Sequence, residues 1–254
     1  MEVRPGFCIV TENRKEKKMD KVLHRAATRG HADHGWLDTY HTFSFADYYD
    51  PKRIHFGSLR VLNDDTVAPG EGFGTHPHAN MEIVSIPLSG ALRHRDSMGY
   101  VQELRPGGIQ VMSAGTGITH SEFNASDTEP VKFLQIWVLP DARGHRPRYD
   151  QLTLAPAVRN ELRPIVAPEG FGNEHVGWIH QRAWFHTLDL DAGRGADYRL
   201  RLFGDGVYLF VLEGCVETAG ETLSRRDGLG ICGAGELRID AAADASVLLI
   251  EVPM

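Results

Sequence analysis

Cysteine is scarce in this chain of 254 residues: Cys8, Cys215 and Cys232 are the three present, far apart and without a CxxC pair. That excludes a disulfide framework and reads as reduced thiols in the cytoplasm. Basic charge is in deficit, since 27 Lys and Arg against 34 Asp and Glu leave a net charge of -7. Such a chain has no field to attract nucleic acid or an anionic membrane. No apolar run approaches the ~20 residues of a membrane span. Met1 to Lys18 lacks the apolar stretch of a signal peptide. Glu12 to Lys18 is a charged run followed directly by Met19. The folded protein is therefore expected to begin near Met19, with residues 1–18 as an N-terminal extension. Long amphipathic helical patterns are missing as well.

What is present is strand patterning. From about residue 40 to 140, short β-rich runs alternate with Gly and Pro turns. Glu82 to Ile86, Ala91 to Arg95, Tyr100 to Leu104, Ile109 to Met112, Ile118 to Phe123 and Lys132 to Leu139 all read as strands. This punctuation suggests an all-β sandwich or barrel. Residues 141–182 are richer in loop signals and read as a connecting segment packed over the surface. Strand patterning resumes near Ala183 and runs to Met254. The expected domains are 19–140 and 183–254.

The second half resembles the first. Leu88-Ser89-Gly90-Ala91 matches Leu212-Glu213-Gly214-Cys215, and Gly108 with Ala114-Gly115 matches Gly228 with Ala234-Gly235. Self-similarity of this kind suggests a duplicated β-domain.

Two clusters in the first half carry ligand-like chemistry, His76-Pro77-His78 and His120-Ser121-Glu122. Alternate residues of a strand share a face, so each cluster can aim two ligands at one point. Three imidazoles and a carboxylate suit one divalent transition metal and leave positions open for reaction. The carboxylate could be Glu122, which shares parity with His120, or Glu82, which shares parity with His76 and His78. In the second half, aligning Gly228 with Gly108 puts Asp240 and Ala242 opposite His120 and Glu122. Aligning Gly214 with Gly90 puts Leu200 and Leu202 opposite His76 and His78. The second copy has thus exchanged its ligands for apolar filling, and one metal per chain is expected. Among other conspicuous residues, His31, His34 and His41 are expected to hydrogen-bond within an N-terminal strand region. His94 is expected at the surface, Asp96-Ser97 in turn chemistry, and Tyr48-Tyr49 in the core. His175, His180 and His186 are expected in surface or packing roles.

Gly70, His76, His78 and Glu82, followed by Gly117, His120 and Asn124, resemble the two motifs of the cupin superfamily, whose members are jelly-roll barrels. Gly90 falls one residue late, and Gly115 stands where the second motif usually has Pro. A closer resemblance is to the pirin family, and to its bacterial quercetin dioxygenase-like members in particular. It is carried by Gly74-Thr75-His76-Pro77-His78 with Met81-Glu82, by His94-Arg95-Asp96-Ser97, and by Gln110 through Glu122 (QVMSAGTGITHSE). Upstream it includes Arg29 to Leu37 and His41 to Ala46, and downstream Gln135 to Val138 and Pro147-Arg148-Tyr149.

The resemblance implies a bicupin, two jelly-roll barrels packed together with one metal in the first. It implies His76, His78, His120 and Glu122 as ligands, and leaves Glu82 as a pocket or outer-sphere residue. It further implies cleavage of flavonols such as quercetin by O2 with release of carbon monoxide. Glu122 would be both ligand and base, and iron(II) the first choice of metal ahead of Mn, Ni, Co, Cu or Zn. The expected partners are a phenolic substrate and O2, the expected state a monomer. The alternative is a metal- or redox-sensing protein that binds a transcription factor or metabolic enzyme without turnover.

Overall fold

A computed structural model describes residues 19–202 and 204–254; the expectations for residues 1–18, Cys8 included, lie outside these. The described residues form 22 strands and one 3-10 turn, Ala26–Thr28. No helix among them is long and apolar enough to cross a membrane. The strands make two seven-stranded and two four-stranded sheets, one of each size per half of the chain.

In the first half the four-stranded sheet is built from Gly72–His78, Ile118–Asn124, Leu92–Asp96 and Val101–Leu104. It packs on the larger sheet through Leu37, Val67, Leu92, Leu104, Val131 and Phe133. The second half repeats this with Gly195–Arg199, Glu236–Ala241, Cys215–Thr218 and Glu221–Ser224. The fold is therefore all-β, a pair of jelly-roll sandwiches as the strand punctuation predicts. The burial patterns explain the sequence texture. Leu92–Asp96 alternates buried and exposed, as a sheet with one wet face must. Val131–Val138 is buried at nearly every position, because the two larger sheets pack back to back. Leu59, Leu62, Leu134 and Ile136 meet Phe185, Phe210, Leu248 and Ile250 in one core cluster.

Phe56 fastens this interface. An added Cβ would lie 2.5 Å from its ring at Gly230 and 2.8 Å at Gly206. Bare backbone at those two positions is what lets the ring sit on the second domain's sheet. Arg226 adds an ion pair to Asp64 of the first domain at 2.7 Å.

Three expectations need correction. Segment 141–182 is not a mere connection. Arg148–Thr153 joins the first domain's sheet beside Gly108–Ser113, whereas Leu162–Pro168 and Gly177–Ile179 join the second. Prolines 164 and 168 disguise a strand whose register shifts between Pro164 and Val166. Residues 20–24 also join the other domain's sheet, since Asp20–His24 pairs with Gly228–Cys232 of the second domain. Finally, the copies align differently. His120 pairs with His76 in the first domain, and at the equivalent place Leu237 pairs with Tyr198. Glu122 pairs with His94, and Ile239 with Thr218. Leu237, Ile239, Tyr198 and Leu200 therefore replace the ligand positions, while Asp240 points outward to Arg238. The link into Glu236–Ala241 is shorter than its counterpart, so a fixed offset overshoots. The replacement is apolar apart from the Tyr198 hydroxyl, which donates to Glu251.

Removing the Phe56 ring is expected to cost about 3–5 kcal/mol. Chemical denaturation of Phe56→Ala at fixed metal content measures this, and a loss below ~1 kcal/mol would show that the ring does not fasten the domains.

Candidate metal centre

Gly72–His78 runs antiparallel to Ile118–Asn124 with His76 opposite His120 and His78 opposite Ile118. The pairing is interrupted between His120 and Glu122. There Gly72 passes so close to the Glu122 carbonyl that an added Cβ would lie 2.3 Å from it. Alternation turns His120 and Glu122 inward together.

The rings of His76, His78 and His120 stand with centroids 4.4 to 4.9 Å apart. One ligand atom from each lies within 4.8 Å of the others. The His76 Nδ1–H donates to the Gly74 carbonyl at 2.8 Å, which leaves Nε2 as the basic nitrogen. His120 Nε2 is buried with no hydrogen-bond partner. Burial, with neighbouring imidazoles adding to it, pushes His78 down to about 4 and His120 down to about 3. Both are therefore neutral at pH 7, with lone pairs free. A buried nitrogen without a donor or acceptor, facing two other imidazoles, fits a divalent transition metal.

Glu122 is 2 % exposed. Its Oε2 accepts from the Gln135 amide at 2.7 Å and its Oε1 from the Gln110 amide at 3.0 Å, while the Ser85 hydroxyl, 3.4 Å from Oε1, donates to the Gln135 oxygen at 2.9 Å. Its carboxylate groups with His94 and His120, again within 4.8 Å. His120 is thus common to both clusters. The supports Ser85, Gln110 and Gln135 were not picked out in the sequence. Their signal is a polar residue in the middle of an otherwise apolar strand, as in GIQVMS and VKFLQIWV.

His94 is not a surface residue. It is fully buried, donates from Nε2 to Asp96 Oδ2 at 2.9 Å, and stacks on Tyr149 at 4.2 Å. With that proton on Nε2, its Nδ1 accepts from His120 Nδ1 at 3.5 Å. The chain from Asp96 through His94 thereby holds the His120 Nε2 lone pair toward the cluster. Asp96 also makes the expected turn contacts, to the Met98 and Tyr100 amides. Strand parity outweighs proximity to the turn, since the inward face of the strand runs Leu92, His94, Asp96.

Glu82 turns elsewhere. It accepts from Ser113 at 2.6 Å and from the His180 backbone, and burial raises it to about 7. Parity does not carry from His78 to Glu82, because the two lie on strands of different sheets. Of the other histidines, His31 bonds Asp38 and His41 bonds Asn63, while His34 and His41 also line the cavity beside the cluster. Tyr49 is exposed rather than core. His180 stacks on His145, and His186 is buried near Arg201.

Beside the imidazoles lies a cavity of about 190 Å³, with Leu37, Phe45, Phe73 and Trp137 among its walls. Trp137 meets His78 edge to face at 4.9 Å. Two jelly rolls with such a cluster, among the described residues, in the first alone are the plan of a bicupin metalloprotein.

Comparison with known proteins carries this to a family. The Pirin family model matches residues 22–138, and that of the quercetinase C-terminal cupin domain matches 165–252. Quercetin 2,3-dioxygenase of Escherichia coli K12 is 40% identical over 231 residues, 91% of this chain and 98% of that protein. A pirin-like protein of Caulobacter vibrioides is 38% identical over 223 residues, 87% of this chain and 95% of that one. The bacterial pirin YhhW of Escherichia coli, solved in complex with nickel(II), superposes with a TM-score of 0.86 at 39% identity, covering 92% of this chain and 99% of that one. The chain belongs to the pirin family.

Glu122→Ala is expected to lose more bound metal than Glu82→Ala, as measured by elemental analysis after loading and desalting. Equal metal content in the two variants would remove Glu122 from the ligand set.

Proposed function

We propose that this protein is a metal-dependent dioxygenase that opens the oxygen-bearing ring of flavonols such as quercetin with O2, releasing carbon monoxide, in the cytoplasm. The observation that carries the proposal is the imidazole and carboxylate cluster opening directly onto an apolar, aromatic-walled cavity. Support comes also from relatives similar over nearly their whole length that bear the name quercetin 2,3-dioxygenase.

His76, His78, His120 and Glu122 would hold the metal. Iron(II) is the metal proposed; the same donors suit nickel, manganese, cobalt, copper and zinc. When bound, the metal supplies a Lewis-acidic, redox-active centre at which a substrate hydroxyl is acidified and electrons pass to O2. The rest falls to the chain's own groups. Leu37, Phe45, Phe73 and Trp137 accept the flat faces of an aromatic substrate and exclude water. Glu122 accepts the proton of the substrate hydroxyl nearest the cluster. Gln110 and Gln135 fix the direction in which its carboxylate oxygens point. The Asp96–His94 pair keeps His120 in the tautomer that leaves Nε2 free.

Loaded with metal, the protein is expected to bleach the visible absorbance of quercetin in air and to release carbon monoxide. Glu122→Gln is expected to lower turnover per bound metal by about 10²-fold or more. Absence of turnover with each of Fe, Mn, Ni, Co and Cu would contradict the proposal and favour a metal-sensing protein that works through a protein partner.

A further inference from the structure

The cavity has two walls of different origin. His76, His78 and Glu122 stand on the four-stranded sheet. The opposite wall belongs to the seven-stranded sheet and carries a second carboxylate, Asp65, on the inward face of Leu59–Val67. Asp65 is 4% exposed. Among the described residues its one side-chain hydrogen bond comes from the Thr39 hydroxyl, at 2.5 Å to Oδ1. No cation pairs with it among those residues. Neighbouring polar groups on the same wall are engaged with one another or with the cluster: Asn63 accepts from His41, and Gln135 serves Glu122.

A buried carboxylate has room for about four hydrogen bonds. Leaving most of that capacity empty in an apolar cavity costs free energy. Burial accordingly raises Asp65 to about 7, with Asp64 and Glu122 adding to the rise. Nothing in the packing accounts for a carboxylate here. A Val or Leu would fill the same inward position of the strand, losing only the bond from Thr39. A donor arriving with the ligand does account for it.

We infer that Asp65 is a specificity residue, accepting a hydrogen bond from a ring hydroxyl of the substrate on the side of the cavity opposite the metal cluster. The inference rests on the dioxygenase reading and sharpens its substrate class. The preferred substrate is polyhydroxylated, with one hydroxyl at the cluster and a second at the facing sheet. Facing sheets lie roughly 10 Å apart, a span that a multi-ring phenol bridges and a single-ring phenol does not. Asp65 makes no bond to the reacting atoms, so its effect is on binding and selection.

The test compares quercetin with 3-hydroxyflavone, which keeps the same chelating hydroxyl and ketone but lacks the other ring hydroxyls. Dissociation constants are measured without oxygen on nickel-loaded protein by tryptophan fluorescence. The wild type is expected to prefer quercetin by about tenfold or more, the worth of a hydrogen bond to a charged group. In Asp65→Leu, which has no acceptor, that preference is expected to collapse toward unity while metal content stays at the wild-type level. Asp65→Val serves the same purpose should the Leu variant fail to fold. A wild type that does not discriminate, or a variant that keeps the wild-type preference, overturns the inference and leaves the dioxygenase reading standing. A wild type that binds neither flavonol overturns both.

Discussion

One register decides this molecule. Gly72–His78 lies against Ile118–Asn124 with His76 opposite His120. That pairing, with the inward parity of His120 and Glu122, assembles the cluster. Slipping the pairing by one residue would turn the inward set outward. Slipped in Ile118–Asn124, it would leave the His120 imidazole and the Glu122 carboxylate in solvent and Thr119, Ser121 and Phe123 in the cavity. The alternation Ile118, His120, Glu122, Asn124 along one buried face pins the register at both ends. Ile118 packs with Ile83 and Met112. Asn124 donates to three backbone carbonyls, of Val67, Ala68 and Glu129. The strand is anchored by packing at one end and by hydrogen bonds at the other, with the ligands between.

A barrel interior is an expensive place for ionisable groups, and the structure meets that cost unevenly. Glu122 has two amide donors and His94 has Asp96. His120 keeps a bare nitrogen, and Asp65 has a single donor. These two groups border the cavity and the cluster. The second domain gives the contrast. Its equivalent positions are Leu237, Ile239, Tyr198 and Leu200, part of an apolar core cluster, with the buried His186 and Glu251 beside Tyr198. The same architecture serves there as a rigid back for the first domain, held to it by the larger sheets and the Phe56 ring. Function and stability are divided between two copies of one fold.

Most of the fold was readable from the chain, because turn residues punctuate it and buried strands such as KFLQIWVL are continuous in hydrophobicity. The ligand histidines were readable for a related reason: an i, i+2 spacing has meaning only on a strand, and strands surround both clusters. What escaped was long-range. That Asp20–His24 crosses to the second domain follows from which edge is free, and no local pattern in DKVLH encodes that. The strand with prolines at 164 and 168 looks like a loop until its partner is present. His94 lies close to a turn, but its parity with Leu92 and Asp96 turns it inward. The parity that Glu82 shares with His76 and His78 in the chain ends where the chain changes sheet. The supports of Glu122 are distant in sequence, and Gln110 and Gln135 betray themselves only as polar residues in apolar strands.

The central claim is that His76, His78, His120 and Glu122 form one first coordination sphere. Anomalous diffraction from crystals loaded with nickel(II) or iron(II) tests it most directly. The account predicts a single ion per chain, with His76 Nε2, His120 Nε2, a nitrogen of His78 and an oxygen of Glu122 each about 2 Å away. An ion held without Glu122, or one bound outside this cluster, would contradict it.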